Sequence, residues 1–373
     1  MPTTPDNDEF IRRTERYRPE LLAHCYRMLG SLADAEDAVQ EMYVRAWRSF
    51  VSFEARSSER TWLYRIATNA CLTALQHRSR RVLPSGLGAP SADPSAPPDS
   101  GDPAVAWLQP IPDTMVSPAA NDPAAIVATR DSVRLALIAA LQYLPSRQRA
   151  VLILRDVLAW PAAEVAELLD MSVAAVKSAL QRARARLHQV TPVADHVTQL
   201  TEPEHRALLD RYIAAFQDAD AAALERLLRE DATLEAPPLR TWYAGIKFCM
   251  PYMATHVLGS PGYWRMLPAS ANGQPAVAAY TRGDDGTYLP YGIVVLTATA
   301  EGISRITAFG DPGLVTAFGF PAVPSAGLTG SYSRPARNSR NGDDLQHRPG
   351  GRGAPGSSRA ARLVSRVWCP RLG

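Results

Sequence analysis

The clearest structural pattern in the chain is PAAEVAELLDMSVAAVKSALQRARARL, residues 161–187. Its apolar periodicity predicts a short helix from Pro161 to Leu169, a turn at Asp170–Ser172 and a long helix from Val173 to about Gln189. Pro161 suits a first helical turn, where its missing N–H is not needed, and Ser172 suits an N-cap. A short helix, a three-residue turn and a second helix are typical of a helix-turn-helix.

The second of these helices has two different faces. Val173, Val176, Leu180, Ala183 and Leu187 fall on one side and are predicted to be buried. The opposite face is small near the N-terminus and polar or basic beyond it, as a helix in the DNA major groove requires. It carries Ser172, Ala174, Ala175, Lys177, Ser178, Gln181, Arg182 and Arg186. The alternative to DNA binding is a basic helix face that is only solvated.

Residues 8–82 are also predicted to be helical, with Gly30 ending one helix and Ser31 starting the next. The third helix mixes aromatic and hydrogen-bonding side chains and runs into a basic cluster, a combination that suits unstacked bases. The candidates are Thr61, Trp62, Tyr64, Arg65, Thr68, Asn69, Arg78, Arg80 and Arg81. Taken alone, Trp62 and Ile66 fit a protein core better.

An acidic helix face precedes this surface. It is formed by Asp34, Glu36, Asp37, Gln40 and Glu41. By default such a face is solvated, but it could also contact a basic protein partner.

Residues 83–123 are rich in Pro, Ser, Ala, Gly and Asp and are predicted to form an extended, flexible linker. Within it, WLQPIPD at residues 107–113 is unusually apolar. It either docks on another part of the chain or is an exposed apolar patch without a function. The docking candidates are Trp107, Leu108, Pro110 and Pro112. After the linker, residues 124–190 are predicted to hold one helix from Ala125 to Leu144, a second from Ser146 to Leu158, and the helix-turn-helix.

Residues 203–319 change character, with helical patterns first and strand patterns after Gly262. They predict an α+β domain with a curved antiparallel sheet, so the fold class is multidomain: two all-α helical domains followed by a cone-shaped α+β domain. Residues 320–373 lose all apolar periodicity and are predicted to be a disordered basic tail.

Length and composition exclude several classes of protein. The chain has 373 residues, which suggests two or three domains, and its 46% hydrophobic content excludes a wholly disordered protein. The net charge is +3, but residues 320–373 alone contribute +7 and the rest of the chain −4, so net charge is no evidence of nucleic-acid binding. The four cysteines form no C-x-x-C pair, so no metal site or disulfide framework is expected. No apolar run is long enough for a membrane span, and a cytoplasmic location is expected.

The segments HCYRMLGSLADAEDAVQEMYVRAWRSF (24–50) and RTWLYRIATNACLTALQHRSRR (60–81) resemble region 2 of sigma-70 family RNA polymerase sigma factors of the extracytoplasmic-function group. Residues 144–187 resemble region 4. The resemblance implies core RNA polymerase and promoter DNA as partners, with no cofactor. It implies that Asp34, Asp37, Gln40 and Glu41 contact the polymerase, that the loop from Phe53 and the helix from Thr61 capture a flipped-out base of the -10 element, and that the helix from Ser172 reads the -35 element.

Residues 203–319 are similar to the SnoaL-like, ketosteroid-isomerase-like domain, mainly through HVLGSPGYWRMLPASANGQPAVAAY (256–280) and GISRITAFGDP (302–312). The candidate pocket residues are Asp231, Trp242, His256, Tyr280 and Tyr291. No carboxylate pair or His/Asp spacing compels catalysis, and His256 fits a core histidine better than a catalytic one.

We therefore expect a sigma factor that directs transcription initiation, with the third domain as a regulatory module that binds an anti-sigma protein or a small-molecule ligand. One alternative is a SnoaL-like enzyme fused to a DNA-binding regulator. Another is a helix-turn-helix activator or repressor that works without core polymerase.

Overall fold

The computed structural model describes residues 7–50, 53, 58–76, 79–117, 130–190 and 201–324. Helices fill the first half and a six-stranded sheet with its own helices fills the second, which confirms the predicted fold class. The predicted disordered tail lies outside the described residues from 325 onward.

The first half contains two helical bundles joined by a linker. The first bundle is α1 (Asn7–Thr14), α2 (Arg18–Leu29), α3 (Leu32–Ser49) and α4 (Glu59–Leu75). The linker, residues 79–117, contains a 3-10 turn (Pro84–Gly86) and α5 (Asp113–Val116). The second bundle is α6 (Leu135–Leu141), α7 (Ser146–Leu152), which continues as a π turn (Ile153–Val157), α8 (Ala162–Leu169) and α9 (Val173–Val190).

The boundary between α2 and α3 forms as its sequence predicts. Gly30 adopts the left-handed conformation at φ 69° and its N–H bonds to the Tyr26 carbonyl. The Ser31 hydroxyl then accepts a bond from Asp34 N and caps α3.

The second half, called here the sheet domain, contains α10 (Glu202–Gln217), α11 (Ala221–Glu225), β1 (Leu228–Glu235), β2 (Trp242–Ala244), α12 (Ile246–Tyr252), β3 (Trp264–Ala271), β4 (Gln274–Arg282), β5 (Tyr288–Thr299), β6 (Gly302–Phe309) and α13 (Pro312–Ala317). A capping box at Thr201 and Glu204 starts α10. The helix predicted to run from Ala221 to Arg229 ends at Glu225, because β1 already begins at Leu228.

The sheet is mixed, so the expectation of a wholly antiparallel sheet was wrong. Its strand order is β2-β1-β6-β5-β4-β3, and β1 pairs with β6 in parallel. The four strands from β3 to β6 form a hairpin meander. The meander brings β6 back beside β1 running in the same direction. Strand β2, which the sequence reading missed, pairs antiparallel with β1 at the edge.

The single helix predicted from Ala125 to Leu144 was also wrong. Residues 118–129 lie outside the described part, and the helical backbone breaks at Val133–Arg134 before α6 begins. Two groups of the sheet domain occupy the break. The Asn272 amide donates to Val133 O at 2.7 Å, and the Gln274 side chain accepts from Leu135 N at 3.2 Å.

One continuous apolar core joins both bundles, the linker and one face of the sheet, where Ala271, Ala278 and Ile293 are completely buried. A second core lies between the opposite face and α10–α12. The linker is packed rather than freely extended. Its Ser91 N–H bonds to Trp242 O at 2.8 Å and its Asp99 carbonyl accepts from Arg240 N at 2.8 Å, which covers the edge next to β2.

Candidate nucleic-acid interface

The turn between α8 and α9 has helix-turn-helix geometry. Asp170 adopts the left-handed conformation at φ 53°, and Met171 N bonds back to Ala166 O at 2.9 Å. The Ser172 hydroxyl accepts a bond from Ala175 N at 3.1 Å and so caps α9.

The helix α9, called here the recognition helix, presents a polar and basic face to solvent. Val176, Ala179 and Ala183 anchor it to the core, whereas Val173, predicted to be buried, is 40% exposed at its start. The predicted DNA-contacting residues are exposed, apart from the half-buried Ala175: Ser172, Ala174, Lys177, Ser178, Gln181, Arg182 and Arg186.

The four basic residues of the recognition helix are not equivalent. The Arg184 guanidinium binds Asp156 on α7's π turn through bonds of 2.9 and 2.7 Å. Within the described part of the chain, no ion pair engages Lys177, Arg182 or Arg186. These three cations are therefore the ones available for a polyanion.

The start of α4 presents an aromatic surface. Phe53 and Trp62 stack with ring centroids 4.7 Å apart, and both are half-buried. Thr61 N bonds to the Ser58 hydroxyl at 3.1 Å, which caps α4 beside them. Farther along the helix Asn69 is exposed. An exposed edge of an aromatic stack is a platform on which a base can stack.

Two of the predicted DNA-contacting residues, Tyr64 and Thr68, are completely buried in this structure. Tyr64 packs against Trp160 of the second bundle at 5.1 Å, and its hydroxyl donates to Glu20. Thr68 donates to the Tyr64 carbonyl at 2.7 Å and pairs with His24. Tyr64 and Thr68 lie four residues apart on the buried face of α4, whereas Asn69 is exposed.

The predicted basic residues of this surface already have partners inside the chain. Arg65 binds Glu167 of α8 at 3.2 Å, and the Arg80 guanidinium lies 4.0 Å from the centre of the Tyr143 ring. Arg81 donates to the Trp107 carbonyl at 2.6 Å and also binds Asp34. Arg78 lies outside the described residues.

The acidic face on α3 is only partly open. Asp34 is held by Arg81 through a bond of 3.0 Å. Asp37, Gln40 and Glu41 are exposed, and Glu41 pairs with Arg45 one turn later at 2.7 Å. Three of the four predicted polymerase contacts therefore face solvent.

The WLQPIPD segment lies between the first bundle and the sheet domain. Leu108, Pro110 and Pro112 are buried and Trp107 is half-buried. Leu108 packs against Gly30, where an added Cβ would lie 2.8 Å from the Leu108 side chain. The Gln109 side chain accepts from the Ser31 hydroxyl at 2.6 Å, so the segment contacts the end of α2 as well as the sheet.

The five candidate pocket residues do not converge on one cavity. Asp231 is exposed and paired with Arg229, and Tyr280 faces the core shared with the bundles. Trp242 donates to the linker carbonyl of Gly88, and the His256 ring stacks on Tyr252 at 5.0 Å. Tyr291 alone lines the cavity inside the cone, which has a volume of about 20 Å³. That volume holds about one water molecule.

A much larger groove lies outside the cone, between α10 and β3. Its volume is about 1090 Å³, slightly above the roughly 300–1,000 Å³ that small-molecule sites usually have. Ile213 and Trp264 form apolar walls. Asp113 of the linker and Arg130 of the second bundle also line the groove. The sequence reading missed this groove because its walls come from segments that lie far apart in the chain.

Two buried arginines connect the bundles and were also missed. Arg27 of α2 donates to the Ser132 hydroxyl at 2.6 Å, and Arg149 of α7 donates to the Met28 carbonyl and to the Gln142 side chain. Burial lowers the pKa of each guanidinium to about 10. Nothing in their local sequence distinguishes them from surface arginines.

The described ranges contain neither a metal-binding cluster nor a helix that could span a membrane. In the ranges described above, no three His, Cys, Asp or Glu side chains gather in a way that could hold a metal ion. None of the helices in those ranges is both long and apolar enough to cross a bilayer.

Comparison with known proteins identifies relatives of both bundles. The family profile described as "Sigma-70 region 2" matches residues 14–81, and that described as "Sigma-70, region 4" matches residues 134–187. The ECF RNA polymerase sigma factor SigG of Mycobacterium tuberculosis is 49% identical over 322 residues, which is 86% of each chain.

A second relative has a similar overall fold. The ECF RNA polymerase sigma factor SigJ of the same organism is 31% identical over 224 residues, 60% of this chain and 63% of SigJ. The crystal structure of Mycobacterium tuberculosis SigJ superposes with a TM-score of 0.54 at 24% identity and covers 84% of this chain and 99% of that one. The similarity in fold extends through the sheet domain.

Proposed function

The chain belongs to the extracytoplasmic-function group of sigma-70 family RNA polymerase sigma factors, and we propose which of its surfaces binds each part of the promoter and the polymerase. It is a non-catalytic transcription factor that acts in promoter recognition. In our proposal the exposed residues of α3 bind core RNA polymerase, the aromatic start of α4 holds the -10 element, and the recognition helix reads the -35 element.

The observation that carries the proposal is the free basic face of the recognition helix. Lys177 and Arg182 lie exposed beyond a stretch of small side chains, while the core anchors the opposite face. Small residues let the helix approach the groove closely, and long cations can then reach phosphates or base edges.

At the -10 element we propose stacking rather than chemistry. Flipping a base out of the duplex costs a few kcal/mol, which stacking on an aromatic side chain can offset by about 1–3 kcal/mol per base. Phe53 and Trp62 are stacked and half-buried, so the pair can offer an aromatic platform at the surface of the first bundle.

We propose that the sheet domain is a regulatory module and catalyses no reaction. Aliphatic and aromatic side chains leave a cavity of only about 20 Å³ inside the cone, which is too small for a substrate. Regulation by an anti-sigma protein or a small molecule remains a prediction, and the groove between α10 and β3 is the cavity of suitable size.

In vitro transcription with purified core polymerase tests the proposal. We expect Lys177→Ala and Arg182→Ala each to weaken binding to the -35 element by roughly 1–3 kcal/mol and to leave binding to core polymerase intact. Arg184→Ala is the matched control, because Arg184 is already engaged by Asp156. Normal transcription by both variants would show that the recognition helix is assigned wrongly.

A further inference from the structure

A small polar cavity, called here the arginine cavity, lies where the linker begins and is lined by residues of both bundles. Its volume is about 200 Å³. Three arginines line it, Arg80 and Arg81 of the linker and Arg149 of α7. Sites for drug-sized ligands begin at roughly 300 Å³, so the arginine cavity suits a small ion and a few waters.

Arg149 is the most deeply buried of the three, with 4% of the residue exposed. Four of its N–H groups donate to neutral oxygens, which belong to the Met28, Gln142 and Leu144 carbonyls and the Gln142 side chain. Among the residues that the structure describes, its Nε has no hydrogen-bond partner and no carboxylate forms an ion pair with it. Burial lowers its pKa to about 10, which still leaves the guanidinium charged at neutral pH. A buried cation without a nearby anion is costly in free energy, so Arg149 favours an anion in the cavity that it lines.

Arg80 lines the same cavity from an exposed position. Its guanidinium lies 4.0 Å from the centre of the Tyr143 ring, which restricts where the side chain can point. In the described part of the chain no ion pair engages it. Its N–H groups are therefore available to an anion in the cavity.

The cavity also contains one carboxylate among its described lining residues, that of Asp34. Arg81 Nε donates to this carboxylate at 3.0 Å and offsets its charge. Three guanidinium groups against one carboxylate leave these walls with a net charge of +2. This charge matches a doubly charged oxyanion, and the planar fork of N–H groups on a guanidinium fits the oxygens of a phosphate.

We propose that the arginine cavity is a binding site for a free phosphate ion. Arg149 supplies the buried positive charge, and Arg80 donates N–H groups from the surface. The site goes beyond promoter recognition, and its test needs neither a promoter nor the polymerase.

The first test is calorimetric titration of the full chain with inorganic phosphate at neutral pH and constant ionic strength. We expect saturable binding with one phosphate per chain. Arg80→Gln should weaken the affinity about tenfold or more, because it removes a charge-assisted hydrogen bond. The matched control is Arg147→Gln, which removes the same charge from an exposed position on α7 that does not line the cavity. The control is expected to keep the wild-type affinity.

The second test is Asp34→Asn, which changes the affinity in the opposite direction. It removes the carboxylate that repels an anion and frees the N–H groups of Arg81 that Asp34 now holds. We expect phosphate to bind several-fold more tightly to this variant than to the wild type. A merely structural role for the Asp34–Arg81 pair would not make binding tighter, so an unchanged or weaker affinity counts against the site.

Three further results would overturn the proposal. The first is a wild-type chain that shows no saturable binding of phosphate, or that binds it no more tightly than Arg80→Gln does. The second is an equal loss in Arg147→Gln, because general attraction between the chain and the anion would then explain the binding. The third is release of bound phosphate by a short DNA duplex without promoter elements, which would make the cavity part of the DNA-binding surface.

Discussion

At the scale of single residues, two buried ionisable groups set how the stability of the fold depends on pH. His24 is completely buried on α2, with Nε2 2.9 Å from the Thr68 hydroxyl and its ring against Tyr64. Burial, helped by the nearby Arg27 guanidinium, lowers the pKa of His24 from 6.5 to about 3. The folded state therefore holds this histidine neutral.

This pKa predicts acid sensitivity of the first bundle. Below pH 6.5 His24 becomes protonated in the unfolded chain but stays neutral in the folded one. The free energy of unfolding therefore falls as the pH drops toward the folded pKa of about 3. The loss is about 1.4 kcal/mol per pH unit, or ~2 kcal/mol between pH 6.5 and 5.

Urea unfolding of the wild type and of His24→Gln at both pH values measures this effect. The variant should lose less stability on acidification by about that amount. Parallel pH profiles for the two proteins would show that His24 does not control acid stability.

Asp113 titrates in the opposite sense. Burial raises its pKa, although Gly273 N and the Ser270 hydroxyl both bind its carboxylate. A carboxyl with a raised pKa favours the folded state more as pH falls toward its ordinary value. The raised pKa of Asp113 therefore acts against the loss of stability that His24 causes on acidification.

At the scale of elements, the linker departs most from its predicted character. Its composition predicts a flexible tether, yet it is hydrogen-bonded to the sheet domain at three points. Ser85 N donates to Glu235 of β1, and Ser91 N donates to the Trp242 carbonyl of β2. Ile111 N donates to the side chain of Asn272, in the turn between β3 and β4. Val82 and Trp107 pair as an isolated bridge, so the linker returns to its own start before it enters the second bundle.

The linker's packing predicts its resistance to protease. Leu108 is 1% exposed, and truncating a buried leucine costs about 2–5 kcal/mol. We expect Trp107→Ala combined with Leu108→Ala to free the segment and to speed its cleavage at least tenfold in limited proteolysis.

Leu87→Ala is the control for this experiment, since Leu87 is a half-buried leucine of the same linker. Equal cleavage of the double variant and the wild type would mean that the WLQPIPD segment does not hold the linker in place.

At the scale of the whole molecule, the first half and one face of the sheet share a core. Leu22 of the first bundle, Ile138 of the second and Ile293 of the sheet belong to the same buried cluster. Elements that share a core tend to unfold together.

We therefore expect one cooperative thermal transition for the full chain. Calorimetry should give a single endotherm, and the helical and sheet signals in circular dichroism should be lost at the same temperature. A chain truncated after residue 200 should melt ~5 °C or more below it, because the truncation exposes apolar surface that the sheet now covers. Two well-separated endotherms in the full chain would contradict the shared core.

Local patterns in the sequence were enough for the helices that carry family identity. The Gly30–Ser31 boundary, the turn at Asp170 and the outward face of the recognition helix follow from caps and helical periodicity, which act over a few residues. The fold class was predicted from such patterns, and membership of the sigma-factor family from the resemblance of residues 24–50, 60–81 and 144–187 to its regions 2 and 4; both are confirmed.

Only the tertiary structure decided what the promoter-reading elements touch. Tyr64, a predicted DNA contact, packs against Trp160 of the second bundle. Asn272, which the sequence identifies only as a turn residue, is hydrogen-bonded to segments more than one hundred residues away. Periodicity shows which face of an element is buried but not which distant element buries it. That depends on how three packed units share one core, and no local pattern records it.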